Sequence, residues 1–235
     1  MNETVEAIAQ AIFKELFPYS LGDSLPKGWR VGKIGDLCEV ALGGAWGEES
    51  SFSGAVEVVC LRGVDLEHLR KNGFADAPRR WVRASVVPQR RLDDCDVLVA
   101  GSGAGPTGRP LWAAPELNSV FSSPVIYSNF CKRLRCRNSS AAVFIDRCLY
   151  SMRESGEIWE YVNGTSIPNL DANALLKSKR IVIPPESVLE AYASIAKIIF
   201  QRLYSGESRT IASVRDALLP KLLSGEVRAH SKTNS

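Results

Sequence analysis

The sequence predicts an α+β fold, in which a loop-rich, mixed α/β domain is followed by a long C-terminal helix that forms a coiled-coil arm. Three observations lead to this prediction. The chain has 235 residues, 45% of them apolar, which is enough for a sizeable core. Between residues 29 and 185, short β-type runs alternate with glycine and proline clusters. After Pro184 and Pro185, apolar residues recur near heptad spacing.

The first predicted element is a helix over residues 4–17. Its apolar residues recur at steps of three and one and form a single stripe, and Pro18 ends it. A helix this short and this apolar must pack on something. We therefore expect residues 1–18 to pack with the C-terminal arm. The stretch that follows, YSLGDSLPK, has the composition of a linker.

Residues 25–185 are predicted to form one domain of short strands and long loops, interrupted by one helix. The helix carries apolar residues at helical steps from Ala141 to Met152, after a Ser139-Ser140 cap, and closes at Gly156. Long ordered loops on a rigid scaffold usually bind something, so we expect the function in the loops. Valine, isoleucine and alternation mark six candidate strands, at residues 33–40, 56–61, 96–100, 120–127, 130–136 and 180–183.

Residues 186–227 are predicted to form the long helix. An unbroken helix from Glu186 to Leu219 would run about 50 Å, at a rise of ~1.5 Å per residue. Gly206 interrupts the apolar pattern, where it would either bend the helix or accommodate a four-residue skip. The segment is either an ordinary helical hairpin on the domain or an arm that pairs with another chain. The tail, residues 228–235, is polar and is expected to fray.

Composition disfavours several classes of protein. No stretch approaches the ~20 consecutive apolar residues that cross a bilayer, and the N-terminus does not read as a secretory signal. The six cysteines lie in a chain far longer than a disulfide-stapled secreted domain, which disfavours a disulfide scaffold. The absence of a C-x-x-C pair and the presence of only two histidines disfavour a zinc site. We therefore expect a cytoplasmic protein with reduced cysteines, without a metal site and without membrane contact.

Motifs for catalysis or cofactor binding are also missing. Residues 103–108 read G-x-G-x-x-G, but prolines follow where a dinucleotide site needs a helix. We expect instead a tightly turned loop that lets the backbone approach a partner, with Arg109 at its tip. Ser102 sits between two glycines, but a nucleophile elbow needs glycines two residues to either side, where Ala100 and Ala104 stand. Only His68 is placed to activate a serine or cysteine. The sequence therefore predicts no catalytic residue and no cofactor, and an enzyme with Cys or Ser chemistry is the least favoured alternative.

The positive charges are clustered, although the net charge is only +3. Eight arginines and lysines lie between residues 62 and 91, against three acidic residues, and four more lie between residues 132 and 137. A single run of this kind is usually a solvated face. Two such runs, with Trp81 and Tyr127 nearby, favour a polyanion as the partner.

Several stretches, taken in order, resemble the specificity subunit of type I restriction-modification systems. Residues 25–36, with LPKGW followed by KIGD, resemble the entry into that family's target-recognition domain. Residues 163–170 (NGTSIPNL), with IVIPP shortly after, resemble its exit. Residues 218–226 (LLPKLLSGE) resemble the end of the family's long helix, and residues 9–14 (AQAIFK) the helix end that precedes a second recognition domain. The resemblance covers nearly the whole chain and depends on the order and spacing of these stretches.

The resemblance implies that the chain reads DNA and catalyses nothing. Partner subunits would do the chemistry: a methyltransferase (M) subunit that carries S-adenosylmethionine, and a restriction (R) subunit that uses ATP and Mg²⁺. The usual subunit of the family carries two recognition domains, whereas this chain has room for one. It therefore resembles half a subunit, and we expect a homodimer or pairing with a second half-subunit. Paired helices would then hold two half-sites of double-stranded DNA at a fixed spacing.

Candidate DNA-contacting residues lie in the loops and in the basic runs. Arginines would read guanine or bind phosphate, Lys132 and Arg133 would bind phosphate, and tryptophans would support them. Trp46 is expected in an exposed loop without apolar neighbours, whereas Trp81 could equally be a core residue. Each arginine, taken singly, could equally be an ordinary surface residue. The candidates are Trp46, Arg79, Arg80, Trp81, Arg83, Ser102, Arg109, Lys132, Arg133, Asn163 and Thr165.

An alternative from a different class stays open. The modest net charge is compatible with a degenerate fragment of such a subunit, which binds the M subunit or blocks an intact complex but binds no DNA. Salt dependence separates the two interpretations, because a DNA reader loses affinity for random duplex steeply as salt rises.

Overall fold

The structure is a computed structural model that describes residues 2–164 and 166–204. Short 3-10 turns connect several of its elements. The described helices are α1 (Asn2–Leu16), α2 (Gly63–Asn72), α3 (Val86–Arg90), α4 (Ser139–Ser155), α5 (Ala172–Ser178) and α6 (Glu186–Tyr204). The described strands are β1 (Arg30–Lys33), β2 (Cys38–Val40), β3 (Ala55–Leu61), β4 (Arg79–Arg83), β5 (Asp96–Ala100), β6 (Pro110–Trp112), β7 (Val125–Tyr127), β8 (Cys131–Cys136), β9 (Val162–Asn163), β10 (Asn169–Leu170) and β11 (Arg180–Ile183).

These strands form one larger sheet and three smaller ones. The largest has the order β2-β8-β5-β6, and each neighbouring pair is antiparallel. A three-stranded sheet has the order β4-β3-β7, in which β4 is antiparallel and β7 parallel to β3. Two antiparallel pairs, β1 with β11 and β9 with β10, complete the set.

The main core lies between the four-stranded sheet and the helices that cover it. All five residues of β5 are buried, because this strand lies between β8 and β6 and helices α2 and α4 pack on it. Trp112 of β6 is fully buried, and its ring centre lies 5.1 Å from that of Phe200 in α6. The predicted mixture of helices and short strands is therefore confirmed.

Four of the six predicted strands are confirmed to within one residue, as β3, β5, β8 and β11. The single strand predicted over residues 33–40 is wrong. Asp36 accepts hydrogen bonds from the backbone N–H of Lys33 at 3.2 Å and from Arg30 at 2.7 Å, and this turn divides the segment. The strand predicted over residues 120–127 is too long. The observed strand, β7, begins only at Val125, directly after Pro124.

The predicted internal helix is confirmed as α4, with a different cap. The Asn138 side chain, and not Ser139 or Ser140, accepts a hydrogen bond from the N–H of Ala141 at 2.8 Å. Asparagine is a strong helix cap because its side-chain oxygen satisfies one of the free N–H groups of the first turn. The helix ends at Gly156, as the sequence predicts.

Helix α6 belongs to the domain core along its described length. Its apolar face is buried against α4 and α1. The rings of Phe13 in α1 and Phe17 just after it lie 5.5 and 5.2 Å from the ring of Tyr192 in α6. Any free arm therefore begins beyond Tyr204. The rest of the predicted helix and the polar tail, residues 205–235, lie outside the described residues, and the coiled coil stays a prediction.

All six cysteines are free thiols, and four of them are buried. Burial raises the pKa of Cys60 and of Cys131 to about 12, so both stay protonated at neutral pH. Among the helices described, none combines the length and the apolar character needed to cross a bilayer.

Candidate nucleic-acid interface

Four loops meet along one edge of the domain, and we call this edge the loop rim. Gly101 joins two of them to its own loop: its N–H donates to the carbonyl of Phe130 at 2.7 Å, and its carbonyl accepts from the N–H of Leu170 at 2.7 Å. The next residue, Ser102, forms an isolated β-bridge with Asn169. The rim consists of residues 41–47, 101–108, 128–132 and 162–170, of which residue 165 is not described.

The loop at residues 41–47 joins the rim through Tyr127. The N–H of Ala45 donates to the carbonyl of Tyr127 at 2.9 Å. Gly44 passes close to Ser128, the residue after Tyr127. A Cβ added to Gly44 would lie 2.2 Å from the Ser128 carbonyl oxygen. Any side chain at this position would push the two loops apart, which explains the glycine in physical terms.

The rim exposes both polar and apolar side chains. It contains no Asp or Glu, although Glu48 and Glu49 follow it directly after Gly47, and Lys132 is its one charged residue. Three exposed asparagines lie in it: Asn129, Asn163 and Asn169. An asparagine amide can donate and accept at once, as a bidentate contact with adenine requires. The structure thus brings three sequence-predicted candidates together, Ser102, Lys132 and Asn163. Thr165 falls outside the described residues.

Trp46, at the end of the 41–47 loop, is a packing residue as well as a surface residue. The Arg80 guanidinium lies 4.3 Å from its ring centre and also pairs with Glu49 at 2.9 Å. The expectation that Trp46 has no apolar neighbours is wrong, because the three-stranded sheet turns one face toward this loop. The ring is half-buried against a small second core of Val58, Cys60, Val82 and Ile126.

The basic residues of β4 do not form a single patch. Side chains alternate along a strand, so Arg79, Trp81 and Arg83 lie on the face opposite Arg80. Arg79 pairs with Glu57 at 2.6 Å, and Trp81 is half-buried. Arg83 is exposed and forms no ion pair with any residue that the structure describes.

Arg133 is buried, which corrects its prediction as a phosphate-binding residue. Its guanidinium lies 5.5 Å from the ring centre of Tyr127 and donates to the carbonyl of Arg91 at 3.3 Å. With 7% of the residue exposed, it is not accessible to a phosphate. Nearby Asp96 is fully buried and pairs with Arg135 at 2.8 Å. Burial raises the pKa of Asp96 to about 6, although Arg135 and Arg133 oppose this shift.

Arg109 does not stand at a loop tip, contrary to expectation. Its carbonyl accepts from the N–H of Ala100 at 2.9 Å, and its side chain pairs with Glu67 of α2. Burial and the neighbouring Arg153 lower the pKa of Arg109. The side chain lines a cavity of about 1060 Å³ between α1, α2 and α4. Arg109 therefore belongs to this cavity and not to the loop rim.

Sequence reasoning missed several exposed residues in and beside the rim. Phe130 and Ile167 are 61% and 71% exposed, and Asn129 and Asn169 lie on the same turns. Arg91 is exposed and forms no ion pair within the described part of the chain. The signal that could have found the rim is a set of four loops rich in glycine and asparagine, three of which have no acidic residue within the rim or directly beside it in the same loop, whereas Glu48 and Glu49 follow the 41–47 segment.

Two other candidate sites are accounted for by the fold. The glycine motif at residues 103–108 leads into strand β6, so it lacks the helix N-terminus that a nucleotide phosphate requires. Asp93, Asp94 and Cys95 bring potential metal-ligand atoms within 4.8 Å of one another. The carboxylate of Asp93, however, accepts from the N–H of Cys95 at 3.0 Å and pairs with Arg135 at 2.7 Å. This group therefore forms the turn before β5.

Comparison with known proteins supports the resemblance seen in the sequence. No family model matches the chain. The chain is 24% identical to the type I restriction enzyme MjaIX specificity subunit of Methanocaldococcus jannaschii, over 97% of its own length and 54% of that protein.

Solved structures show the same fold. The HsdS subunit from Thermoanaerobacter tengcongensis matches with a TM-score of 0.50 at 18% identity, over 94% of this chain and 51% of that one. A chain from a structural study of complex assembly and conformational transition of the type I R-M system matches with a TM-score of 0.52 at 19% identity, over 94% and 52%. The chain is therefore similar to type I specificity subunits, and it spans about half the length of the relatives it matches.

Proposed function

We propose that the chain is a DNA sequence-specificity subunit of a type I restriction-modification complex, which recognises one half-site in the major groove and catalyses nothing itself. The observation that carries the proposal is the loop rim, where exposed asparagines and a lysine stand together without an acidic residue. The likeness to specificity subunits in sequence and fold supports it.

The rim can supply both kinds of contact that a DNA reader needs. Lys132 would neutralise a phosphate, and the exposed Arg83 and Arg91 are further candidates for contacts of this kind. The Asn163 amide and the Ser102 hydroxyl would reach base edges, and the amide suits adenine in particular. Because the loops of the rim meet at Gly44 and Gly101, which have no side chain, the backbone could approach the DNA major groove closely.

The other basic candidates take a smaller part in the proposed interface. Arg133 and Arg109 are left out, since the first is buried and the second lines the cavity beside α2. Arg79 and Arg80 each hold an acidic partner, so either would have to exchange that carboxylate for a phosphate. Such an exchange gains less than the binding of a free cation.

Partners supply the chemistry in this proposal. M subunits would bind S-adenosylmethionine and methylate adenine, and R subunits would use ATP and Mg²⁺, all within the cytoplasm. A second half-site would come from a second copy of the chain or from another half-subunit. The pairing would use α1 and the segment beyond Tyr204, so the length of the paired helices would set the spacing between half-sites.

The test is binding of the full chain to duplex DNA, alone and with its methyltransferase partner. We expect the logarithm of the affinity to fall linearly with the logarithm of salt concentration, at about −0.9 per phosphate contacted. We also expect methylated adenines to map to one bipartite sequence when both proteins are present. Salt-independent binding, or methylation without sequence preference, would contradict the proposal.

A second candidate function is that of a regulatory fragment that binds the M subunit without reading DNA. The pairing of arginines favours it, because three of the candidate DNA-contacting arginines hold acidic partners: Arg79, Arg80 and Arg109. This candidate predicts co-purification with the M subunit, no salt-dependent DNA binding and no sequence preference. The same salt titration therefore decides between the two.

A further inference from the structure

We propose that Phe130 and Ile167 are specificity-determining residues, whose side chains contact the C5-methyl groups of thymines in the major groove. The inference rests on the proposed function and adds to it the class of base pair that the rim reads. It starts from the exposure of these two side chains. They are 61% and 71% exposed, whereas every other large apolar side chain that the structure describes is at most 57% exposed.

The turn that carries Phe130 is fixed by its backbone. The N–H of Cys131 donates to the carbonyl of Ser128 at 3.0 Å, and the Cys131 side chain is buried. The Phe130 carbonyl is held by the N–H of Gly101 at 2.7 Å, and a Cβ on Gly101 would lie 2.9 Å from that oxygen. The ring therefore projects to solvent because the backbone on both sides of it is anchored to the domain.

Ile167 is anchored in a similar way. It lies in the connection between β9 and β10, and the carbonyl of the next residue, Pro168, accepts from the N–H of Gly103 at 3.2 Å. Both apolar side chains thus stand on turns that are tied to the same short segment, Gly101 to Gly103. A single exposed apolar residue needs no explanation, whereas two on adjoining turns of one candidate interface mark a contact surface.

The surroundings of the pair favour DNA over a protein as the partner. The turns carry Asn129, Lys132 and Asn169, and neither turn has an acidic residue. A neutral to positive edge complements a polyanion. Thymine methyl is the apolar group that the major groove presents, and it belongs to the same base pair as the adenine edge that an asparagine reads. Phe130 next to Asn129, and Ile167 close to Asn169, would therefore read the two bases of A·T pairs together.

The experiment uses the full chain and duplexes that it selects from a random pool. In those duplexes each thymine is replaced in turn by deoxyuridine, which removes only the C5-methyl group. For the wild-type chain, we expect the affinity to fall about 3- to 5-fold at one or more positions, as the loss of one buried methyl implies. Phe130→Ala or Ile167→Ala should bind the thymine and deoxyuridine duplexes equally well at one of these positions.

Phe74→Ala is the matched control, because this phenylalanine is 57% exposed but lies off the rim, with its ring 6.4 Å from that of Phe121. It should keep the full discrimination between thymine and deoxyuridine. Equal melting temperatures of all three variants and the wild type show that the fold is intact. Phe130→Leu keeps an apolar side chain and should keep part of the discrimination.

The proposal is overturned if the wild-type chain is indifferent to deoxyuridine at every position, or if both alanine variants discriminate as the wild type does. It is also overturned if the variants keep the discrimination but lose co-purification with the methyltransferase partner, since the apolar pair would then bind protein. Failure of the proposed function looks different: the wild-type chain would then select no sequence from the pool.

Discussion

The guanidinium of Arg80 lies 4.3 Å from the ring centre of Trp46, and the same side chain pairs with Glu49 at 2.9 Å. One cation is thus shared between an aromatic face and a carboxylate. This stack covers the small second core of the three-stranded sheet and holds the end of the 41–47 loop, so it supports one side of the loop rim.

Replacement of Trp46 by alanine should destabilise this part of the domain. We expect Trp46→Ala to lower the free energy of unfolding by about 2 kcal/mol, because a half-buried ring and a cation–π contact are lost together. Trp46→Phe should recover most of that loss, and Arg80→Ala should cost about 1 kcal/mol. Urea unfolding of the three variants checks the order. Wild-type stability in Trp46→Ala would show that the stack does not form in solution.

Lys132 is the charge of the rim, and its removal should weaken DNA binding without regard to sequence. We expect Lys132→Ala to lower the affinity for all duplexes alike and to reduce the salt slope by about 1, as the loss of one phosphate contact does. Titration of binding against salt measures the slope. Lys71→Ala is the control, because Lys71 pairs with Glu67 on α2, off the rim, and should leave the slope unchanged.

Arg109→Ala should leave the base preference of DNA binding unchanged. The sequence suggests the opposite, because it places Arg109 at the tip of the glycine loop as a DNA contact. The side chain pairs with Glu67 in the cavity beside α2 and is 28% exposed. A partly exposed ion pair contributes at most about 1 kcal/mol, so the loss of stability should be small. Selection from a random duplex pool provides the measurement. If Arg109→Ala accepted a new base at one position of the selected sequence, Arg109 would contact DNA after all.

Asp146 pairs with two buried arginines, Arg70 and Arg147. Its carboxylate accepts from the N–H of Trp112 at 2.8 Å, pairs with Arg147 at 3.0 Å and also pairs with Arg70. Asp146→Ala removes the carboxylate that both buried guanidinium groups share, and we expect a loss of about 3–5 kcal/mol in the free energy of unfolding. By contrast, Asp36→Ala breaks an exposed pair together with one backbone cap and should cost only about 1–2 kcal/mol. Equal losses in thermal and urea unfolding of the two variants would contradict the buried pairing.

The buried thiols of Cys60 and Cys131 should make the stability fall in alkali. Burial raises the pKa of each from 9.0 to about 12, so the folded state keeps protons that the unfolded state releases above pH 9. The stabilisation is complete below pH 9 and is lost as the pH rises from there toward 12. Each thiol accounts for about 1.4 kcal/mol per pH unit in this range.

Comparison of the wild type with Cys131→Ala isolates one thiol. The variant should lose stability less steeply than the wild type by about 1.4 kcal/mol per pH unit, measured by urea unfolding at several pH values above 9. Parallel pH profiles would mean that Cys131 is accessible to solvent in the folded chain.

The fold could be predicted from the sequence where its signals are local. Helix α4 and strands such as β5 follow from apolar periodicity over a few residues, and their bounds agree with the structure. Helix α2 was missed because its sequence, GVDLEHLRKN, is dominated by charge and starts with glycine. Strand β4, RRWVR, was missed because its three arginines hide the strand pattern, whereas pairing with β3 fixes it.

The candidate site could be predicted only in part. Ion pairs between residues that are distant in sequence decide which arginines and lysines are left to bind DNA. Arg79 and Glu57 are far apart in sequence, as are Arg109 and Glu67, and only the fold brings each pair together. Lys132 was predicted from the second basic run, Ser102 from the glycine loop, and Asn163 from the stretch that resembles the exit of the recognition domain, and the fold brings all three to the rim. Phe130 was missed because an apolar residue at a strand end looks like core in the sequence, and its exposure depends on the turn before β8.

The main-chain anchoring of the rim separates the side chains of the candidate interface from the contacts that keep the domain folded. Its loops are located by carbonyls, N–H groups and glycines, so the outward-pointing side chains contribute little to stability. If the proposed function holds, substitution of a few of these side chains would change the DNA sequence that the chain prefers while the fold stays the same. A small, retargetable set of this kind consists of Asn129, Phe130, Asn163, Ile167 and Asn169.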